Sequence, residues 1–353
     1  MNTITPSPLQ APPGHWLVRI GGFRLLVQRR GLLVGLGLTV ALAVALLWLM
    51  AAGTALTPWQ ALQASLGNGQ PMHVLLVREL RLPRLLAGLF SGAALGAAGC
   101  LLQTLARNRL ATPGVIGIDD GATAFAVASI VAVPTSLAPP MLALSGATTA
   151  AVLTFALAMG AGGRGYRFIV VGLAIGVLFG ALTNLLLARA DIDAANAAYP
   201  WTVGSLNARP AQSVWLLAIG VVVGLPLAKL LGHPLASMRF SDNVATGLGI
   251  HLSRMRVASL ALTVWLTALA VAVVGPVGLT ALVAPETARY LCRQQGVPIL
   301  NSALAGALLM LIADWAGRTL LAPVEIPVGI IMAIIGGPYL LWILLRQSSR
   351  TLS

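Results

Sequence analysis

Six stretches of about twenty residues pass without one charged side chain: 31–52, 85–106, 141–163, 168–188, 257–275 and 326–345. No other feature limits the fold so tightly. A helix of some twenty apolar residues crosses the ~30 Å hydrocarbon core of a bilayer, and it bonds every backbone group within itself. Shorter or weaker runs at 115–137, 212–231, 277–291 and 297–314 bring the expected spans to ten. Pro285 and Glu286 interrupt the run at 277–291, which suits a partial helix buried in protein. The fold class expected is an all-α polytopic membrane protein of about ten transmembrane helices in one domain. With 58% hydrophobic residues the chain is too apolar for a soluble domain.

A formal charge of +13 would suit a nucleic-acid binder, but the basic residues are scattered between the apolar runs. With ten spans and a cytoplasmic N-terminus, 16 of the 22 basic residues fall on the cytoplasmic side. The far side keeps Arg78, Arg81, Arg84, Arg189, Arg209 and Arg318. That asymmetry fits the positive-inside rule and predicts a multi-pass inner-membrane protein with both termini in the cytoplasm. Residues 1–30 read as a cytoplasmic tail, Pro-rich and disordered at first and interfacial later. Residues 31–346 read as a single transmembrane domain, and 347–353 as a short cytoplasmic tail.

Chemistry is sparse. There is no HExxH, GxSxG or Walker A loop, and the four histidines are dispersed, so neither a catalytic nor a metal site is expected. Cys100 and Cys292 read as small buried hydrophobes. The acidic residues fall in loops or near span ends, Glu286 apart, so the midplane lacks the carboxylates a proton- or sodium-coupled carrier needs. No bound cofactor is expected, and the energy source should lie in another subunit.

Four features stand out. Gly88, Gly92 and Gly96, then Gly172, Gly176 and Gly180, place glycine at every fourth position of two spans. Such a stripe lets a neighbouring backbone approach closely, so both spans are expected in the middle of the bundle, as packing or as pore lining. Thr183 and Asn184 are polar within the fifth span and are candidates for the pathway or for a helix–helix hydrogen bond. The loop 232–256 contains "SDNVATGLG", a short helix capped by Ser241 or Asp242 and ended at Gly247 or Gly249, either plain surface or a plug for a soluble partner. Finally, "RELRLPR" at 78–84 concentrates arginine at the mouth of a span, with Pro83 expected to set an extended turn before the helix.

The segment "RLPRLLAGLFSGAALGAAGCLLQTLARNRLATPGVIGIDDGA" closely resembles the signature of the FecCD family, permease subunits of ABC importers for iron–siderophores, haem and vitamin B12. "WTVGSL", "SDNVATGLG", "GPVGLTALVAPETAR", "IADWAGR" and "EIPVGIIMAIIGGPYLLWILL" follow in the family's order, and the resemblance runs from about residue 31 onward. It implies a vitamin B12 importer-type (type II) permease fold and transport of a ferric siderophore, with vitamin B12 or haem as the alternative cargo. An ion-coupled carrier acting alone is the alternative of another class. The partners implied are a second permease, more often a paralogue than an identical copy, two ATPase subunits that bind ATP–Mg, and a periplasmic binding protein.

The resemblance also implies residue roles. Arg81, Arg84 and Arg318 would rim the periplasmic mouth and receive glutamates of the binding protein, where arginines snorkelling at a helix end are the alternative. Ser241, Asp242, Ala245, Leu248 and Gly249 would couple the chain to the ATPase, small Ala245 letting the helix seat in a cleft. Two positions depart from the family pattern on the cytoplasmic side. Arg109 replaces the proline of "RNPL", and Glu286 with Thr287 replaces the middle of "PHIAR".

Overall fold

Helices form where the apolar runs predict them, and their ends follow local chemistry. A computed structural model describes residues 15–20, 23–132, 139–159, 165–293 and 296–348. It opens with an antiparallel hairpin of β1 (His15–Ile20) and β2 (Phe23–Gln28). The helices of the first half are α1 (Arg29–Ala51), α2 (Pro58–Ser65), α3 (Pro71–Leu75), α4 (Leu82–Leu105), α5 (Ile118–Val131), α6 (Pro139–Met159) and α7 (Gly165–Arg189). Those of the second half are α8 (Ile192–Val203), α9 (Ala211–Met238), α10 (Asp242–Gly247), α11 (Leu252–Val274), α12 (Gly278–Cys292), α13 (Ile299–Thr319) and α14 (Val328–Ser348). Ten of these fall on the ten predicted spans, and among the described residues seven helices are long and apolar enough to cross a membrane. With 14 and 15 residues, α5 and α12 are too short to span alone.

The core is built around α4. Its span is 83% buried, and three of its glycines, Gly92, Gly96 and Gly99, meet backbone atoms of neighbouring helices. Gly92 lies on Gly306 of α13 and Gly96 on the Ser302 carbonyl, while Gly88 faces the Leu206 and Leu311 side chains. Gly306 answers from α13 by lying on Gly92. Only glycine allows this approach, because a methyl group at Gly92 would fall inside the contact distance of Gly306.

Two chain breaks meet the start of α14 within the protein. The links after α8 and between α11 and α12 use Gly204 and Gly275, both at φ 79, and the first turn of α14 carries Gly329. They are stitched together by Ser205 N–H donating to the Val274 carbonyl (2.8 Å) and Gly329 N–H donating to the Gly204 carbonyl (3.1 Å). Irregular backbone at membrane depth survives only where protein satisfies it, and here it does.

Several expectations need correction. In the tail expected to be interfacial, residues 15–20 pair with 23–28, while 1–14 lie outside the described residues. Residues 133–138 and 160–164, at the ends of two predicted spans, and 349–353 also lie outside them. Pro83 sets no extended turn: α3, a π-helical segment Leu76–Arg81 and α4 run together as one 35-residue helix. Proline cannot donate to the preceding turn, and the helix accommodates it by widening, with Leu82 N–H reaching back to the Val77 carbonyl. α9 continues through Pro226 and Pro234 to Met238, which removes 232–238 from the predicted loop. The fifth span is not central in this chain, because only 28% of it is buried.

Candidate functional site

The sequence-predicted residues assemble at the two ends of α4. Arg84 and Arg107 lie 23 positions apart, about 35 Å along a helix axis, close to the thickness of a bilayer's apolar core. Polar clusters at these two points therefore stand at opposite membrane faces.

At the first end, two arginines converge on two carboxylates, with a third arginine beside them. Arg84 Nε donates to Asp314 Oδ1 (3.0 Å), and its Nη1 donates to Glu325 Oε2 (3.0 Å). Arg318 places Nε 3.2 Å from Asp314 Oδ2, an ion pair by distance without hydrogen-bond alignment. Asp314 is 3% exposed and Glu325 46%. Arg81 is engaged differently. Its Nη1 donates to the carbonyls of Leu49, Met50 and Ala52 (3.3, 2.9 and 2.7 Å), so it caps the end of α1. It still lies close enough to Arg318 for the two charges to repel. The π-helical segment makes this possible by turning Arg81 off the register of a regular helix.

Arg209 occupies the same side of the chain. It donates from Nε to the Ser205 carbonyl (2.9 Å) and stacks 4.2 Å above Trp201. Burial pushes its guanidinium down to about 10, so it stays charged at neutral pH.

At the second end, Ser241 Oγ accepts from Val244 N–H (3.1 Å) and starts α10, as its sequence predicts. Gly249 follows at φ 80. Asp242 holds the helix in place by accepting from Arg107 Nη2 (2.6 Å) and Arg256 Nη2 (2.7 Å). The Arg256 guanidinium, then Arg107, holds the Asp242 carboxyl below the usual carboxylate range. Arg107 also donates to the Met238 carbonyl, which clamps the end of α9 to the start of α10. Ala245 is fully buried against the chain's own core. This corrects its expected role, because its small size serves internal packing and not a partner's cleft. The outward face instead carries Phe240, Val244 and Leu248, all exposed.

The two departures from the family pattern meet each other beside α10's end of the molecule. Arg109 Nη1 donates to Glu286 Oε1 (3.1 Å), and Arg289 Nη1 donates to Glu286 Oε2 (3.1 Å) and to Gln103 Oε1 (2.6 Å). Gln103 and Arg289 are both buried, so this chain of charge-assisted bonds joins the end of α4 to α12.

In α7, Gly172 lies on Val115 of the 3₁₀ turn Pro113–Ile116, and Gly176 lies on Gly117 and the Asp120 carboxylate. Thr183 is buried and donates to the Phe179 carbonyl (3.0 Å), so it points away from the exposed face that Asn184 occupies. Sequence reasoning missed Asp314, Glu325 and Gln103 as partners. The spacing of Asp314 and Arg318, four apart on a helix, was a usable signal for one of them.

A profile of the FecCD transport family matches residues 38–346. The chain belongs to the FecCD transport family. The ferric enterobactin transport system permease protein of Escherichia coli (strain K12) is 33% identical over 326 residues, covering 92% of this chain and 99% of that protein. The Fe(3+) dicitrate transport system permease protein FecD of the same strain is 34% identical over 313 residues, covering 88% and 97%. A solved structure of a metal-chelate type ABC transporter in an inward-facing conformation superposes with a TM-score of 0.77 at 25% identity, covering 89% of this chain and 99% of that one. Members of this family are transport permeases, and the fold here is theirs.

Proposed function

We propose that the chain is the membrane-spanning permease subunit of an ABC importer that carries a ferric siderophore from periplasm to cytoplasm. One observation carries the reading: the helix α4 joins a basic cluster at one membrane face to the capped, apolar-faced helix α10 region at the other. A permease in such an importer needs both surfaces, one to receive a delivery protein and one to receive the motor. Relatives over nearly the full length carry ferric enterobactin and Fe(3+) dicitrate, which supports a ferric chelate as cargo.

Arg84 and Arg318 dock acidic side chains of a periplasmic binding protein, while Arg81 holds α1 beside them. Phe240, Val244 and Leu248 seat α10 in the ATPase partner, which binds ATP–Mg. ATP-driven movement of α10 is passed to α9 and α11 through the Asp242 ion pairs, switching the helices between outward- and inward-open states. A second, paralogous permease completes the pathway, with the exposed face of α7 turned towards it. The chain sits in the inner membrane with both termini in the cytoplasm.

The test is uptake of radioiron supplied as a ferric siderophore by cells lacking this chain. Uptake should be abolished, and the chain should restore it only when the ATPase partner can hydrolyse ATP. Restoration without a functional ATPase overturns the proposal. Orientation is checked with cysteines at the exposed Asn207 and Asn243 in a background without Cys100 and Cys292. An impermeant maleimide should label position 207 from the periplasm and spare 243.

A further inference from the structure

Arg84 divides its guanidinium between two very different carboxylates. Nε is committed to Asp314, which is 3% exposed and also sits beside Arg318. Nη1 is held by Glu325, which is 46% exposed. Glu325 belongs to the link between α13 and α14, whose backbone is fastened on both sides of it. Val324 N–H donates to the Leu321 carbonyl (2.9 Å), and Ile326 N–H donates to the Gly317 carbonyl (2.9 Å). Its side chain can thus leave Arg84 while the link stays in place.

Resting on the docking reading above, we propose that Glu325 is a built-in stand-in for the binding protein's carboxylate. It occupies Arg84 Nη1 while that protein is away, and the incoming acidic side chain displaces it. Charge supports this. Three arginines and two carboxylates leave the rim at +1, and releasing Glu325 exposes a second uncompensated positive charge for the arriving acid. One carboxylate replaces another at Arg84 Nη1, so the number of charge-assisted bonds is conserved. Displacement also adds selectivity, since a neutral or basic protein has nothing to offer Arg84 in exchange for Glu325. Docking held this way is firm enough to deliver cargo and weak enough to release.

The experiment uses the full transporter complex in phosphatidylcholine nanodiscs, which keeps anionic headgroups from competing. The probe is the periplasmic substrate-binding protein that delivers ferric siderophore to this transporter, and its affinity is measured at low salt. Glu325→Gln should tighten binding about fivefold, the size of an exposed ion pair. Glu325→Asp keeps the charge but loses reach, so it should also tighten binding, and it stands in if the glutamine variant does not fold. Glu79→Gln removes an equal charge from the exposed segment before Arg84 and should leave affinity unchanged. Arg84→Gln should weaken binding more than tenfold. If the Glu325 variants bind like wild type or more weakly while Arg84→Gln fails to bind, the stand-in is wrong and docking survives. Equal tightening by Glu79→Gln reduces the effect to net charge and also overturns the stand-in. Normal binding by Arg84→Gln overturns the docking reading itself.

Discussion

α4 and α7 carry the same glycine spacing and finish in opposite surroundings. Gly92 and Gly96 of the α4 stripe lie on the backbone of α13, and the span is buried on nearly all sides. The α7 stripe lies on the turn before α5 and on Asp120, while Leu173, Val177, Leu178, Leu182 and Leu185 on its other faces are exposed. A glycine stripe thus specifies one close contact. It says nothing about the remaining two-thirds of the helix circumference. What separates the helices is the residue type around the stripe. α4 surrounds its glycines with Ala87, Ala93, Ala94, Ala97 and Ala98, small enough for neighbours on every side, whereas α7 surrounds them with leucine and valine.

The sharpest test of this contrast is Gly92→Ala. The added methyl would meet Gly306 and Ala307 backbone that has nowhere to go, so about 3 kcal/mol of stability should be lost. Thermal unfolding in detergent should fall by several degrees, with aggregation of much of the protein. Gly172→Ala meets the Val115 carbonyl in a turn that can shift slightly, so a loss of about 1 to 2 kcal/mol is expected in the same assay. Gly180→Ala has its nearest neighbour, Asp120 Oδ1, 4.0 Å away, and alanine favours helix. Its stability should be unchanged or slightly higher. If Gly180→Ala unfolds the protein as readily as Gly92→Ala, the contrast between the two helices is wrong.

The smallest expected effect concerns a contact made by charge instead of shape. Asp242 has its folded pKa depressed by Arg256 and Arg107, so its tether is fully present above the ordinary carboxylate value of 3.8. The tether is lost as pH falls through the depressed value. A spin label at Asn243 should stay ordered at neutral pH and become mobile only under strong acid. In Asp242→Asn it should be mobile throughout, with no acid step. A neutral-pH label as ordered in the asparagine variant as in wild type would mean that shape alone holds α10.

Much of this architecture was legible in the amino-acid order. Apolar runs are a physical requirement of the bilayer, so the six uncharged runs and four weaker ones became ten helices. Ser241 and Gly249 marked α10 because caps are local chemistry. The misses share one cause, which is dependence on distant neighbours. Whether Ala245 faced inward or outward could not be read from a six-residue helix, because that depends on α9 and α11 beneath it. Pro83 looked like a break because its local effect is disruptive. The surrounding helix turned it into a π segment whose side chain Arg81 is caught by α1. Arg109 and Glu286, each an oddity alone, explain each other only when a separation of 177 positions is closed by the fold.

The backbone breaks at Gly204 and Gly275, stitched to the first turn of α14 at Gly329, have a mechanical consequence. Three helices, α8, α11 and α14, end or begin at that one knot, where Ser205 uses the Val274 carbonyl and Gly329 uses the Gly204 carbonyl. None of the three can swing independently without leaving polar backbone unsatisfied in a dry place. They must therefore travel as a single rigid block, like spokes fixed to a hub. Any aperture wide enough for cargo has to open along seams that lack such fastening, and the loosely packed flank of α7 is one of them.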